Sequence, residues 1–253
     1  MFKKVITFLI LTITQLDGAS ELTHAYLAKK WLDLNKKSEE YRGAFMRGTL
    51  FPDIRYFASI SRESTHDKNV TLHDIASCKD AFDAGKKFHA FVDEFIDKPK
   101  NIKKEAKNQL RGTKIITKQA PVLKKYIVML LKFAEDDIIF AMNDKCADIA
   151  KYLGPLDATM RTFNVSDQKL QAWYLLLKSI YFSGTIPSTA IAGDAQKDLV
   201  DFLKPIPIHE LSQFAPNIKS LAQNHHIQNY TKERLRDFDK TFKKFLKKQK
   251  KIS

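Results

Sequence analysis

Apolar residues recur mostly at intervals of three and four along this chain of 253 residues, which is the spacing of side chains on one face of an α-helix. Glycine and proline number eight each, and no series of alternating segments separated by turn dipeptides suggests strands. The sequence therefore predicts an all-α fold of several helices. A chain of this length suits one domain, with or without a tail.

The first helix of the domain is predicted to be capped by Thr23, because a threonine hydroxyl can accept a hydrogen bond from the first helical turn. Four residues fall on its buried face: His24, Leu27, Ala28 and Trp31. Residues 41–70 have weak periodicity, so we predict an extended connection there, with a turn at Pro52.

A second helix is predicted from Thr71 to Ile96. Its apolar side carries Leu72, Ile75, Phe82, Gly85, Phe88 and Val92. His89 and Asp93 are one helical turn apart and therefore project from that same side.

The rest of the chain has less regular patterns. Residues 97–120 are basic and predict a loop or a short helix. A third long helix is predicted from Pro121 to about Asn143, and it carries an acidic cluster of Glu135, Asp136 and Asp137. Shorter helices are predicted at 144–152, 166–182, 194–203 and 209–224.

Residues 1–20 have the form of a secretory signal. Lys3 and Lys4 precede an apolar run, and the small residues Ala19 and Ser20 follow it, as at a cleavage site. The run is shorter than the roughly twenty apolar residues that a membrane-spanning helix needs, although an uncleaved anchor or a buried first helix is an alternative. The signal predicts a secreted or periplasmic protein whose main domain covers residues 21–230.

Residues 231–253 are predicted to form a basic amphipathic helix or tail. Its apolar stripe consists of Leu235, Phe238, Phe242, Phe245 and Leu246, with lysines elsewhere. Such a stripe suits an anionic membrane surface. Alternatively, it belongs to a closing helix that packs its phenylalanines on the domain.

The formal net charge is +14 at neutral pH, and removal of the signal would lower it by only one. A charge of this size attracts anionic lipid surfaces or nucleic acid without specificity. It makes a phospholipid or membrane surface the expected partner, with nucleic acid as the alternative, and leaves the oligomeric state open. Cys78 and Cys146 can pair in an oxidising compartment only if the fold brings them close.

Five residues have the types and positions that a metal ion requires: His24, Asp53, His66, His89 and Asp93. A divalent cation such as zinc takes imidazole nitrogens and carboxylate oxygens that converge from separate elements. His89 and Asp93 form the strongest local pair, because ligands at i and i+4 on a helix face one centre. Each residue alone is more often an ordinary core or surface residue, so the argument rests on the set.

Four segments occur in an order that resembles the zinc-dependent phospholipase C family: LTHAYLAKKWL, GTLFPDIRYF, ESTHD and AGKKFHAFVDEF. That family is similar in having a T-H helix start, a G-x-x-F-P-D turn, an S-T-H segment and a G-x-x-x-H-x-x-x-D helix. The resemblance covers residues 21–97 and includes the N-terminal domain of glycosylphosphatidylinositol-specific phospholipase D. Single-strand-specific zinc nucleases share the helical fold and metal cluster, but they begin with tryptophan and a glycine-rich G-H segment that this chain lacks.

The resemblance implies a multi-helix domain with a zinc cluster, of two ions or of one. Asp53, His66, His89 and Asp93 would hold one zinc, and Asp93 would bridge to a second zinc that His24 also binds. The same resemblance implies that Asp53 orients or deprotonates the attacking water. In secreted relatives the freed N-terminal residue also binds the second metal.

The chain departs from the family members that hold three metals. Those members have another histidine after the helix histidine, where this chain has Pro99, and then an H-x-x-x-E pair that is absent from this sequence. Glu135 or Asp136 could supply an oxygen ligand instead. The third site is therefore expected to be absent or rebuilt.

These features predict a metal-dependent phosphodiester hydrolase, a phospholipase C acting on phospholipids through a zinc-activated water. The alternatives are a single-strand nuclease on the same scaffold and a noncatalytic basic protein with a degenerate metal site. Water is the expected nucleophile, since the sequence has no G-x-S-x-G elbow, no Cys/His pairing and no glycine-rich phosphate loop. Arg55 and Arg62 flank the proposed site and either receive a substrate phosphate or are surface charges.

Overall fold

A computed structural model describes residues 20–58, 60–96, 130–142, 144–153, 163–182, 184, 186–188 and 215–251. These residues form helices and turns without any strand, which confirms the predicted all-α fold. Within these ranges, no helix is both long enough and apolar enough to cross a membrane. Residues 1–19 of the signal, the connection at 97–120, the start of the third helix and the helix at 194–203 lie outside the described residues.

The helices in chain order are α1 (Glu21–Leu34), α2 (Glu39–Leu50), α3 (Arg55–Ala58), α4 (Arg62–Thr65), α5 (Leu72–Ser77), α6 (Ala81–Ile96), α7 (described over 130–142), α8 (Asp167–Tyr181), α9 (Ala215–Gln223) and α10 (His225–Gln249). Two 3-10 helices cover Pro52–Ile54 and Asp144–Tyr152.

Helix α1 begins earlier than predicted. Ser20 is its N-cap, and its hydroxyl accepts a hydrogen bond from the backbone N–H of Thr23. The prediction of Thr23 as the cap is therefore wrong, because Thr23 lies inside the first turn and is buried. The four residues predicted for the buried face are all buried: His24, Leu27, Ala28 and Trp31.

The predicted extended connection over residues 41–70 is also wrong, because most of this segment is helical. Ser38 caps α2, which packs so closely on α6 that a Cβ on Gly48 would lie 2.0 Å from the carbonyl oxygen of Phe82. Gly48 is buried but has no apolar side chain. The apolar periodicity of the α2 sequence is therefore weak, although one face of the helix is buried. The turn at Pro52 is present, and it opens the 3-10 helix Pro52–Ile54.

Residues 71–96 form two helices rather than the predicted one. Thr71 caps α5 in a capping box with Asp74. The carboxylate of Asp80 then accepts a hydrogen bond from the backbone N–H of Asp83, 2.7 Å away, at the start of α6. Aspartate competes in this way for backbone N–H groups at helix starts, which explains the break between α5 and α6.

The later elements agree with the sequence in part. Ser166 caps α8, as its predicted start implies. Residues 144–152 form a 3-10 helix rather than an α-helix. Within the predicted helix at 209–224, residues 215–223 are helical. Asn224 then caps α10, so the predicted start of the basic tail at Thr231 lies inside a continuous helix.

Helices α2 and α6 form the centre of the domain, α1 packs against both, and α10 packs on α1 and α6. The ring of Trp31 on α1 lies 6.2 Å from that of Phe88 on α6 and 5.4 Å from that of Phe242 on α10. Phe238 and Phe242 are fully buried. The phenylalanines of α10 therefore belong to the core, as the closing-helix alternative expects.

Candidate metal centre

The five predicted ligands converge in the interior, and none is more than 7% exposed: His24, Asp53, His66, His89 and Asp93. They come from α1, from the 3-10 helix Pro52–Ile54, from the residue after α4, and from one face of α6. Within the described part of the chain, two groups of three side chains have the geometry to hold a metal ion. One group is His66, His89 and Asp93, and the other is His24, Asp53 and His89.

Local structure positions each of these side chains. Pro52 stands at the start of the 3-10 helix that carries Asp53, where its fixed φ favours the turn. His66 follows α4 directly, and Ser61 caps that helix. His89 and Asp93 lie one turn apart on α6, so both point to one side.

The first group has the dimensions of a zinc site. His66 Nε2 lies 3.1 Å from His89 Nε2. Asp93 Oδ2 lies 3.4 Å from His66 Nε2 and 3.6 Å from His89 Nε2. Ligands at the usual zinc distances in a tetrahedral arrangement are separated from each other by about 3.3 Å. A zinc-sized ion therefore fits these three atoms with little adjustment.

The partners of the two imidazoles fix the tautomer of His89 and permit in His66 the tautomer that a metal needs. His89 Nδ1 lies 2.9 Å from the backbone oxygen of Thr49, which can only accept, so Nδ1 carries the proton and Nε2 is free. The Thr65 hydroxyl lies 3.3 Å from the backbone oxygen of Arg62 and 2.8 Å from His66 Nδ1. When it donates to Arg62 it accepts from His66 Nδ1, and His66 Nε2 is then unprotonated as well.

In that tautomer two nitrogen lone pairs face each other at 3.1 Å, an arrangement that a cation beside them stabilises. Burial lowers the pKa of His66. Burial together with the neighbouring His24 lowers the pKa of His89 to about 4. A proton is therefore not the expected cation at neutral pH, and a metal ion suits the position.

Asp93 faces both groups. Its Oδ1 lies 3.1 Å from His24 Nε2, whereas its Oδ2 points towards His66 and His89. Burial alone would raise the pKa of this carboxyl, but His89, His24 and His66 together hold it well below its usual range. Asp93 is therefore ionised, and its two oxygens are directed to two different sides.

The second group shares His89 with the first. The His24 ring stacks on the His89 ring with centroids 3.8 Å apart, and Asp53 Oδ1 lies 3.9 Å from His89 Nε2. His24 Nδ1 is buried without a hydrogen-bond partner among the described residues. Because His89 has one free nitrogen, it can bind one ion, and a second ion would rely on His24 and the two carboxylates.

The two flanking arginines differ in position. Arg55 is buried, with Nε 3.8 Å from Asp53 Oδ1. Arg62 is 38% exposed, and its guanidinium lies 3.4 Å from Asp93 Oδ2. Arg62 also borders a small pocket of 80 Å³ that reaches His66. Arg62 is therefore the arginine that a ligand entering from solvent meets first.

The acidic cluster of α7 borders the centre, since Asp136 interacts with Glu21, which also feels the charge of Asp53. Glu135 pairs with Arg234, Asp136 accepts a hydrogen bond from the Ser20 hydroxyl, and Asp137 accepts two from Ser188. None of the three belongs to the two ligand groups found among the described residues. Burial raises the pKa of Asp136 well above its usual range.

Sequence reasoning missed three residues that shape the centre. Thr65 precedes His66 directly, and its hydroxyl orients that ring. Thr49 acts through its backbone oxygen, so its side chain gave no signal. Glu21 stands one turn before His24 at the start of α1, and burial and the charge of Asp53 raise its pKa to about 7. An acidic residue in a first helical turn is common, so the sequence did not single it out.

Other candidates lie outside the centre. His73, His225 and His226 are exposed, as expected for surface histidines. Cys78 is a free, partly buried thiol, and the side chain of Cys146 lies outside the described set.

The buried His/Asp groups could hold a metal ion. Comparisons with protein-family models, with curated proteins and with solved structures find no match for this chain. The resemblance to zinc-dependent phospholipases C therefore stays a prediction that rests on the four segments quoted above.

Proposed function

We propose that this protein is a zinc-dependent phosphodiester hydrolase of the phospholipase C type. The observation that carries the proposal is the triangle of His66 Nε2, His89 Nε2 and Asp93 Oδ2, with edges of 3.1, 3.4 and 3.6 Å. Neutral imidazoles and an ionised carboxylate are the protonation states that zinc requires. Two ions, or one, complete the centre, with His24 and Asp53 on its second side.

The residues of the centre divide the chemical work. When bound, zinc would lower the pKa of a water molecule and polarise a phosphoryl oxygen of the substrate. Asp53, buried beside Arg55, orients the attacking water and accepts its proton. Arg62 at the pocket receives a non-bridging oxygen of the phosphate through its planar guanidinium. A bound phosphate would compete with Asp93 for the Arg62 guanidinium, so substrate binding would release Asp93 from its contact with Arg62.

Phospholipid is the preferred substrate class, because the four segments resemble the phospholipase C family and a net charge of +14 favours an anionic surface. The same charge supports a second candidate, a single-strand nuclease. The missing H-x-x-x-E pair supports a third, a noncatalytic basic protein that keeps part of a metal site. The signal-like residues 1–20 support a secreted or periplasmic location.

Metal content tests the centre. The purified protein, equilibrated with zinc and dialysed, should retain zinc as measured by mass spectrometry. His89→Ala and Asp93→Ala should each lose at least about tenfold in affinity, whereas His73→Ala, at an exposed histidine, should bind like the parent. Retention of tight zinc binding by both His89→Ala and Asp93→Ala would refute the centre.

Turnover tests the reaction. Release of phosphocholine from phosphatidylcholine and cleavage of single-stranded DNA are measured in parallel, with and without a chelator. The proposal expects chelator-sensitive lipid hydrolysis that Asp53→Asn abolishes. Arg62→Gln should raise KM, while Arg236→Gln, at an exposed arginine of α10, should not. Cleavage of DNA alone would select the nuclease, and zinc binding without any turnover would select the noncatalytic protein.

A further inference from the structure

The C-terminal part of α10 presents a surface made of lysines. Residues 240–251 contain seven lysines and no acidic residue. All seven are exposed and surround an open depression of 590 Å³: Lys240, Lys243, Lys244, Lys247, Lys248, Lys250 and Lys251. These seven residues are called the lysine face.

The lysine face occupies one side of the helix. At about 100° per residue, the five lysines that lie within α10 fall within an arc of about 140°, and Lys250 and Lys251 follow the end of the helix. Phe238, Phe242 and Phe245 fall on the opposite side. Phe242 and Phe245 pack on the ring of Trp31 with centroids 5.4 and 5.7 Å away. The apolar side of α10 is therefore occupied by the core and is not available for insertion into a membrane.

Most of the charge on the lysine face is not neutralised. Lys240 pairs with Asp237 at 3.1 Å, and both side chains are largely exposed. The other six lysines make no ion pair with any residue that the structure describes. Such a surface repels itself, and it gains free energy when a polyanion covers it.

We propose that the lysine face docks this protein on an anionic lipid bilayer by charge alone, with no helix inserting. Clusters of four to eight lysines bind anionic headgroups in this way. Nucleic acid fits the face less well. The face has no arginine to form bidentate contacts with guanine or phosphate, and the aromatic side chains of this part of α10, which would otherwise stack on bases, pack inward.

The lysine face is separate from the candidate metal centre. Trp31 lies beneath the face, and the rise along α1 places it about 10 Å from His24. Binding to the bilayer is therefore expected to be independent of zinc. His89→Ala should bind vesicles like the parent, so failure of the proposed function and failure of this inference can be told apart.

Vesicle sedimentation with the full chain tests the inference. The vesicles are phosphatidylcholine alone or three parts phosphatidylcholine with one part phosphatidylglycerol, at about 0.05 and 0.5 M NaCl. The test variant replaces Lys243, Lys244, Lys247 and Lys248 by glutamine. A matched control makes the same change at four exposed lysines elsewhere: Lys36, Lys79, Lys169 and Lys219.

Each lysine near an anionic surface contributes about fivefold to binding. The parent should bind the anionic vesicles at low salt and lose them at high salt, and the test variant should bind at least about 100-fold more weakly. The control variant should lose less than about threefold. Equal losses in both variants, or parent binding that persists at high salt, would overturn the inference. It would equally be overturned if duplex DNA displaced the protein from vesicles at equal phosphate concentration.

Discussion

His66 and His89 face each other through Nε2 atoms 3.1 Å apart, while the opposite nitrogen of each ring is held by Thr65 and Thr49. Thr49 fixes the proton of His89 on Nδ1, and Thr65 allows the same tautomer in His66, so that both Nε2 atoms can offer a lone pair to one bound cation. Three helices separated along the chain, α2, α4 and α6, are needed to build this arrangement.

Thr65 should control the affinity for zinc although it is not a ligand. Thr65→Val removes the hydroxyl that accepts from His66 Nδ1 and keeps the side-chain shape, so the ring loses its fixed orientation. Loss of such a partner costs about 10–100-fold in metal affinity. Competition with a fluorescent chelator measures it. Thr65→Ser keeps the hydroxyl and should bind within about threefold of the parent; equal losses in both variants would contradict the role.

Zinc affinity should be nearly independent of pH around neutrality. The pKa values of His66 and His89 are lowered, the latter to about 4, so neither ring has a proton to release when zinc binds at pH 7. Affinity should then begin to fall below the ordinary imidazole pKa rather than at it, and should fall most steeply as the pH approaches the value at which His89 is protonated. The measurement is a chelator competition from pH 7.5 to 4.5. A tenfold fall per pH unit beginning near 6.5 would show that these rings have ordinary pKa values.

Two groups of the centre, His89 and Glu21, contribute opposite pH dependences to the stability of the metal-free protein between about pH 7 and 4.5. The lowered pKa of His89 destabilises the fold as pH falls below 6.5, by up to about 3 kcal/mol, since only the unfolded chain then takes up the proton. The pKa of Glu21, raised to about 7, stabilises the fold over the same fall, since the folded chain takes up that proton first.

Glu21→Gln removes the second contribution and should make the metal-free protein less stable at pH 5, relative to pH 7, than the parent is. Urea unfolding in a chelator at pH 7 and pH 5 measures the difference. Glu40→Gln, at an exposed position of α2, is the control and should keep the profile of the parent. An unchanged profile in Glu21→Gln would mean that Glu21 titrates normally.

Two glycines of α2 should respond to alanine in opposite ways. A Cβ on Gly48 would meet the backbone oxygen of Phe82 at 2.0 Å, so Gly48→Ala forces α2 and α6 apart and should cost at least about 3 kcal/mol. It should also weaken zinc binding, because the neighbouring Thr49 holds His89. Gly43 has only the flexible end of Arg47 within 3.4 Å. Gly43→Ala should therefore be neutral or stabilise by about 0.5–1 kcal/mol, as thermal unfolding would show.

Helix α10 should behave as part of the domain rather than as a tail. Phe242 is fully buried against Trp31 and Phe88, so Phe242→Ala should destabilise the fold by about 3–5 kcal/mol. Arg236→Ala on the exposed side of the same helix should change stability by less than about 0.5 kcal/mol. Equal stability of the two variants in urea unfolding would place α10 outside the core.

The helices with clear apolar periodicity could be predicted from the sequence, and α8 is the best case, since Ser166 gives its start. Helix α2 could not be predicted, because part of its buried face is backbone at Gly48, and a pattern of side chains does not register a glycine that packs. The break before α6 depends on one hydrogen bond, which Asp80 accepts from the backbone N–H of Asp83. Helix propensity alone does not show whether Asp80 caps a new helix or lies inside a continuous one.

The sequence by itself determined the all-α class and the five residues that converge, because helical periodicity and ligand type are local properties. The tertiary structure decided which atoms meet. It placed the Nε2 atoms of His66 and His89 together, turned the two oxygens of Asp93 to different sides, and directed the acids of α7 to Ser20, Arg234 and Ser188 instead. These outcomes depend on how closely α2 approaches α6 and where α1 begins, and such distances between helices are set by packing rather than by any one segment.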